Sequence, residues 1–166
     1  MRWCATFLVL VAACAMAWTP APAAAQNRVE LASGYEPDPW TTRIELRSRY
    51  SNAPRNIDER GVACLGGFDG VDVELRFTAG NLGLPLIISA GSSVDTALVV
   101  EDPHGRAFCD DDSGALGNNP MLAIAQPISG RYRIWVGVYR DPNTGAYTDV
   151  PAGATALISI SELYSQ

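Results

Sequence analysis

Three segments of this chain alternate between an apolar face and a more polar face, and this period of two constrains the fold more than any other feature. In residues 71–77, valine, leucine and phenylalanine alternate with aspartate, glutamate and arginine, and residues 130–139 and 154–162 alternate similarly. Successive side chains of a β-strand point to opposite faces, so each segment predicts a strand with one buried face. No window keeps an apolar period of 3.6 residues, and we therefore expect no helix beyond a single turn.

The strands are short and are separated by turns rich in Gly, Pro, Asn and Asp. We predict nine of them: Arg28–Ala32, Thr42–Arg47, Val71–Phe77, Leu84–Ala90, Asp95–Glu101, Arg106–Asp110, Met121–Ala125, Gly130–Tyr139 and Ala154–Glu162. Half-buried strands of this kind favour antiparallel sheets that pack face to face. The expected fold is all-β, an antiparallel β-sandwich made by one domain over residues 26–166.

Residues 1–25 have the order of parts that is typical of a secretory signal peptide. Arg2 precedes an apolar run over Trp3–Trp18, and the small residues Ala23–Ala25 follow a proline-containing break. The run is too short and too alanine-rich for a membrane span of about 20 residues, which makes a retained anchor the weaker alternative. We expect cleavage before Gln26 and an exported protein, periplasmic or extracellular, without a transmembrane span in its mature form.

A second cleavage point is the alternative for localisation. Val11–Cys14 fits a lipobox, and cleavage before Cys14 would give a lipoprotein anchored through that cysteine. The residues after Cys14 remain apolar, whereas a lipoprotein usually has a polar tether there, so ordinary cleavage is favoured.

The mature chain keeps two cysteines, Cys64 and Cys109. Two thiols in an oxidising compartment most simply form one disulfide, which would stabilise the fold by roughly 4 kcal/mol in the chain-entropy model. A free or metal-bound pair is the lesser alternative because the chain has no CxxC spacing. The full chain carries a net charge of −6, which argues against nucleic acid or an anionic membrane as the main partner.

The segment Asp102–Gly105 has the residues of a tight hairpin turn, with Pro second and Gly fourth. Pairing the two ends of that turn places Cys109 near Leu98 and Asp112 near Asp95, give or take one residue for a bulge. The acidic run that follows Cys109 is therefore expected to reach the end of the sheet where Asp95 begins its strand.

That juxtaposition predicts a candidate Ca²⁺ site made by Asp95, Asp110, Asp111, Asp112 and Asn118. Consecutive carboxylates repel one another unless a cation or solvent screens them, and hard oxygen ligands on a flexible glycine-rich loop suit Ca²⁺. The spacing is not that of an EF-hand. The alternative is a solvated acidic loop whose aspartates cap turns.

No catalytic residue is predicted, and we expect that the protein is not an enzyme. The single histidine, His104, is expected to be exposed in the hairpin turn, where no orienting group would hold it beside a nucleophile. Neither GxSxG nor HExxH occurs. A pair of carboxylates acting on a glycosidic bond is left open as the alternative, a cryptic hydrolase.

Arg133, Trp135 and Tyr139 lie on one face of the strand 130–139 and form a candidate ligand-binding surface for a polymer, either polysaccharide or protein. In the alternative interpretation, these side chains cover the second side of the sheet against loops, or fill the sandwich if the two faces are reversed.

The second half of the chain resembles the bacterial pre-peptidase C-terminal (PPC) domain. The resemblance rests on Asp95–Leu98, Asp102–Gly105, Asp110–Asp112 and Ser129–Val136, and the motifs Gly34–Pro39, Asn119–Pro120 and Ile160–Leu163 extend it to small exported PPC-like proteins. It implies a jelly-roll-like β-sandwich with no active site of its own, and related modules bind calcium or polymeric substrates.

In larger proteins such domains follow a secreted peptidase, whereas we expect no peptidase before the domain here. We therefore expect a monomeric, non-catalytic module for binding or stabilisation in the periplasm or outside the cell. The alternative is an accessory domain or partner of a secreted peptidase.

Overall fold

The computed structural model describes residues 27–47, 54–115 and 117–163. The predicted signal peptide over residues 1–25, with the alternative cleavage point at Cys14, lies outside these ranges. Within them, no helix is long and apolar enough to cross a membrane.

The described residues form ten β-strands in two sheets. The strands are β1 (Asn27–Ala32), β2 (Trp40–Glu45), β3 (Gly66–Gly67), β4 (Val73–Thr78), β5 (Leu86–Ser92), β6 (Thr96–Glu101), β7 (Ala107–Asp110), β8 (Met121–Ile124), β9 (Gly130–Tyr139) and β10 (Thr155–Ser161). The first sheet has the order β1-β4-β9-β6-β7, with β3 also paired to β9, and the second has the order β2-β10-β5-β8. The prediction of an all-β sandwich is confirmed.

One strand pair departs from the predicted antiparallel arrangement. β1 runs parallel to β4, from Asn27 opposite Val73 to Ala32 opposite Thr78, whereas the other pairs between described strands are antiparallel. Parallel neighbours need a long crossover connection. Here the chain passes through β2 in the second sheet and returns to the first sheet at β3 before it forms β4.

The main core lies between the two sheets and contains the alternating apolar side chains. In β4, Val73, Leu75 and Phe77 are buried, and in β10 Ile158 and Ile160 are fully buried. The alternation in the sequence therefore marks which side chains face the main core and which face outward.

A second, small core lies on the outer face of the first sheet. Its buried members are Cys64, Phe68, Ala97, Val99, Ala107, Cys109 and Trp135. Residues 54–72, here termed the covering segment, fold over β6, β7 and β9 at this point, and β3 of this segment pairs with β9. Cys64 and Cys109 form the predicted disulfide, with Cα atoms 5.2 Å apart, so the covering segment is linked covalently to β7.

Candidate functional site

The β6–β7 hairpin carries the acidic run, and its register differs by one residue from the simplest prediction. Cys109 lies opposite Val99, whereas pairing of the turn ends had placed it near Leu98. The difference arises because the loop between the strands ends on Gly105, whose φ of +78° gives the one-residue bulge that is common in three-residue hairpins. The acidic run still reaches the predicted end of the sheet.

Asp102 organises the turn itself. Its carboxylate accepts hydrogen bonds from the backbone N–H of His104 at 2.9 Å and of Arg106 at 2.9 Å, and pairs with the Arg106 guanidinium at 2.6 Å. Burial opposes ionisation of Asp102, but the bonds from Arg106 and His104 outweigh it and hold its pKa below the ordinary value. His104 is exposed in this turn, as predicted.

Asp110, one of the predicted metal ligands, caps the acidic loop. Its Oδ2 accepts the backbone N–H groups of Ser113 and Met121, both at 2.9 Å, and its Oδ1 accepts the Ser113 hydroxyl at 2.6 Å. Both oxygens are therefore already bonded, and Asp110 follows the alternative interpretation, in which an aspartate caps a turn.

Asp95, Asp111 and Asp112, here termed the acidic end, influence one another electrostatically. Burial, and then the charges of Asp112 and Asp111, raise the pKa of Asp95 to about 6. Burial, and then the charges of Asp112 and Asp110, raise the pKa of Asp111. Asp95 Oδ1 is buried and has no hydrogen-bond partner, while the Asp112 side chain is exposed to solvent.

Two further residues lie beside the acidic end: Tyr139, which the sequence pattern assigned to the ligand-binding surface, and Asp141, which it did not single out. The backbone N–H of Tyr139 donates to the carbonyl of Asp95 at 3.1 Å, which places this residue beside the acidic end, and burial and the charges of Asp111 and Asp141 raise the pKa of its phenol. Asp141 is two residues further on, where β9 has ended, and its carboxylate is bonded to Asn143 N–H and the Thr144 hydroxyl. Tyr139 is the last residue of β9, and its position at that strand end was the feature of the sequence that could have placed it near the acidic end.

Asn118, the remaining predicted ligand, is exposed, and its backbone carbonyl accepts the Thr96 N–H at 3.4 Å. No group of three or more His, Cys, Asp or Glu side chains is close enough together to hold a metal ion in the described ranges. Asp95 carries the donor that fits a hard cation, because one of its carboxylate oxygens is satisfied by no protein group. Asp110 does not fit, since its oxygens are occupied.

Trp135, the centre of the predicted ligand-binding surface, is only 7% exposed. The covering segment lies over it, so its indole belongs to the small core and is not available for stacking on a ligand. The alternative interpretation, that the aromatic residue covers the sheet against a loop, agrees with this burial. This burial could not be predicted from the sequence, because the covering segment is glycine-rich and lacks a clear period.

Arg133, predicted for the same surface, belongs to a row of alternating charges across four strands. Glu74 lies opposite both Arg28 and Arg133, and Glu101 lies opposite Arg133. The guanidinium of Arg133 pairs with the Glu101 carboxylate and also lies 5.5 Å from the centre of the Trp135 ring. The three predicted surface residues thus have three different environments, and they do not form a common binding face.

No protein-family model matches this chain, and a search of curated proteins finds no match either.

Proposed function

We propose that this protein is a non-catalytic, exported β-sandwich module whose acidic end binds Ca²⁺ and is stabilised by it. The observation that carries the proposal is the Asp95 carboxylate, which has one buried oxygen without a partner and two like-charged neighbours, Asp111 and Asp112. Such an arrangement disfavours the ionised forms of Asp95 and Asp111, and a divalent cation bound beside them would remove the penalty.

The ligand set of this proposal differs from the set predicted from the sequence. Asp95, Asp111 and Asp112 supply carboxylates, and Asp110 instead holds the loop that positions the latter two. Ca²⁺ takes six to eight oxygen ligands in variable geometry, and backbone carbonyls and water commonly complete its shell. A site with few carboxylates is typical of weak, millimolar-range binding outside the cell.

Thermal unfolding with and without Ca²⁺ tests the proposal. Saturating Ca²⁺ at about 100 times its Kd would stabilise the fold by about 2.7 kcal/mol, and Asp111→Asn or Asp95→Asn should abolish the shift. Asp149→Asn removes the same charge from an exposed position and should retain the response. Equal shifts with Mg²⁺ and Ca²⁺, or a shift that survives both variants, would exclude a Ca²⁺ site at the acidic end.

The disulfide between Cys64 and Cys109 supports export, because such bonds persist in oxidising compartments and are rare in the cytosol. The N-terminus of the mature protein separates the two routes. A free chain beginning at Gln26 supports ordinary secretion, whereas a lipidated Cys14 supports the membrane-anchored alternative.

The resemblance to the PPC domain supports a binding or stabilising role and keeps a secreted peptidase as a proposed partner. Turnover of peptide or glycan substrates by the pure mature protein, abolished by one carboxylate variant, would favour the alternative of a carboxylate-based hydrolase. Co-purification with a peptidase that becomes more heat-resistant would favour the accessory role.

A further inference from the structure

A groove of about 710 Å³ crosses three neighbouring strands of the first sheet. It is lined by Glu30–Ala32 of β1, by Arg76–Thr78 of β4, and by Ser129–Arg131 at the start of β9. The acidic end lies beside Tyr139, the last residue of β9. Eight residues of extended chain separate Arg131 from Tyr139 by roughly 25 Å, so a ligand in the groove would be independent of a cation at the acidic end.

Two arginines, Arg76 and Arg131, lie directly opposite each other in this groove, on β4 and β9. Their neighbours Phe77 and Tyr132 are buried in the main core. Because successive side chains of a strand point to opposite faces, both arginines point to the outer face, where both are exposed. Directly opposite residues have Cβ atoms about 4.5–5.5 Å apart, and like charges at such positions destabilise the pair.

Glu30 compensates this repulsion only in part. It lies opposite Arg76 on β1, with its Oε1 3.8 Å from Arg76 Nε, and the two side chains are 81% and 71% exposed. An ion pair as exposed as this one contributes little and is readily exchanged for another partner. Arg131 forms no ion pair with an acidic side chain of the described ranges.

This row of three charged residues differs from the row of alternating charges beside it. The alternating row, described above, is neutral across the same strands. Here one carboxylate and two guanidinium groups give a net charge of +1, in a chain whose net charge is −6. The groove therefore presents an excess positive charge at one defined place on an acidic protein, and its chemistry suits an anion.

The next row along the strands is small, uncharged and partly hydroxylated. Ala32 lies opposite Thr78, and Ser129 completes the row just before β9 begins. All three side chains are exposed, and they lie two residues, or roughly 7 Å, beyond the charged row. The Ser129 hydroxyl accepts the Ala79 N–H at 2.9 Å and keeps its own proton to donate. The body of a ligand whose anionic group is held by the arginines would thus meet hydroxyl groups and little bulk.

We propose that the groove binds a sugar acid, with its carboxylate between Arg76 and Arg131 and its ring hydroxyls at Thr78 and Ser129. The forked donors of a guanidinium match the planar carboxylate. A single negative charge balances the charged row, which favours a carboxylate over a phosphate dianion. The volume lies within the range of small-molecule pockets, roughly 300–1,000 Å³, and admits one or two sugar units.

Titration of the protein that begins at Gln26 with D-galacturonate, followed by the NMR shifts of backbone amides in EDTA, tests the proposal. We expect saturable shifts centred on Arg76–Thr78 and Ser129–Arg131. D-galactose lacks the carboxylate and should not bind, while n-hexanoate lacks the hydroxyls and should bind more weakly. Inorganic phosphate should bind no more tightly than D-galacturonate. Comparison with trigalacturonate distinguishes a free sugar acid from a unit of an acidic polysaccharide, because only a polysaccharide site gains contacts from added units.

Variants of the exposed charges assign the binding to the groove. Arg76→Gln or Arg131→Gln should weaken D-galacturonate binding by about fivefold and should leave the thermal unfolding temperature unchanged or slightly raised, because each relieves the like-charge pair. Glu30→Gln removes the competing carboxylate and should strengthen binding. Arg43→Gln removes the same charge from an exposed position of β2 in the second sheet and should bind normally.

Four results would overturn the proposal. They are the absence of saturable shifts at high D-galacturonate concentration, shifts confined to other parts of the chain, binding that is unchanged in both arginine variants, and binding of D-galactose, n-hexanoate or phosphate that equals or exceeds that of D-galacturonate. Asp111→Asn should lose the Ca²⁺ response and keep D-galacturonate binding, so the two sites can fail separately.

Discussion

Tyr132 shows how a single polar atom is accommodated in the centre of this sandwich. The residue is fully buried, and its hydroxyl donates to the carbonyl of Ile128 at 2.9 Å and accepts the Ile128 N–H at 3.0 Å. Tyr132→Phe leaves the partly buried N–H and carbonyl of Ile128 without this partner and should lower the free energy of unfolding by about 1–3 kcal/mol, measured by urea denaturation. Tyr139→Phe on the same strand is the control, and an equal loss in both variants would contradict the role of the bond.

Gly137 is a residue at which the covering segment approaches β9 closely. A Cβ atom there would lie 2.3 Å from the carbonyl oxygen of Gly67, a backbone atom that cannot move without shifting the covering segment. Gly137→Ala should therefore cost about 1–3 kcal/mol of unfolding free energy. At Gly91 an added Cβ meets nothing within 4 Å, so Gly91→Ala should be neutral or slightly stabilising in the same denaturation experiment.

Single residues also show which parts of the sites could be predicted. The approach of Asp95 to Asp111 and Asp112 follows from turn arithmetic, because a tight hairpin fixes which residues lie opposite one another. The burial of Glu162 could not be predicted in this way. Its burial depends on a contact with Gly34, which is 128 positions earlier in the chain, and no local pattern encodes such a contact.

Among the structural elements, the strands in which apolar and polar side chains alternate could be predicted from the sequence, whereas the covering segment could not. β4, β9 and β10 each separate a core face from an outer face, so their periodicity is visible in the sequence. β3 has only two residues, both glycine, and is held by pairing with β9. The parallel pairing of β1 with β4 was also not predictable, since a strand sequence does not specify a distant neighbour.

The covering segment is attached to β7 by more than the disulfide. The buried Asp58 carboxylate accepts the N–H of Cys109 at 3.1 Å and of Val62 at 2.8 Å, and the Arg60 guanidinium donates to the carbonyl of Cys109 at 2.5 Å. Replacing both Cys64 and Cys109 by alanine should therefore lower the unfolding free energy by up to about 4 kcal/mol without removing the native contacts of the segment.

Acrylamide quenching of Trp135 fluorescence, measured in the protein that begins at Gln26 and carries Trp40→Phe, distinguishes loss of stability from exposure of the small core. We expect Trp135 to remain shielded in the double cysteine variant at moderate temperature, because Asp58 and Arg60 still hold the segment on the sheet. Quenching as strong as that of free indole in the folded variant would show that the disulfide alone keeps the small core closed.

For the molecule as a whole, buried carboxylates set the dependence of stability on pH. Burial is the main cause that raises the pKa of Asp72 to about 6 and that of Asp95 to about 6, from an ordinary value of 3.8. Hydrogen bonds hold the pKa of Asp58 and of Asp102 below that value, despite their burial. The first two groups bind protons more tightly in the folded state, and the last two bind them more weakly.

These shifts predict that the fold is most stable in mildly acidic solution. As the pH rises from about 4 to about 6, the folded protein must release protons that it holds more tightly than the unfolded chain, so stability decreases. Below about pH 4, stability decreases again as Asp58 and Asp102 become protonated. Urea denaturation in EDTA between pH 3 and 8 should give a maximum near pH 4–5, and Asp72→Asn should reduce the decrease above it. Ca²⁺ should diminish the decrease, because it would compensate the negative charge of Asp95. An unfolding free energy that is constant or rises from pH 4 to 6 in EDTA would contradict the burial of these carboxylates.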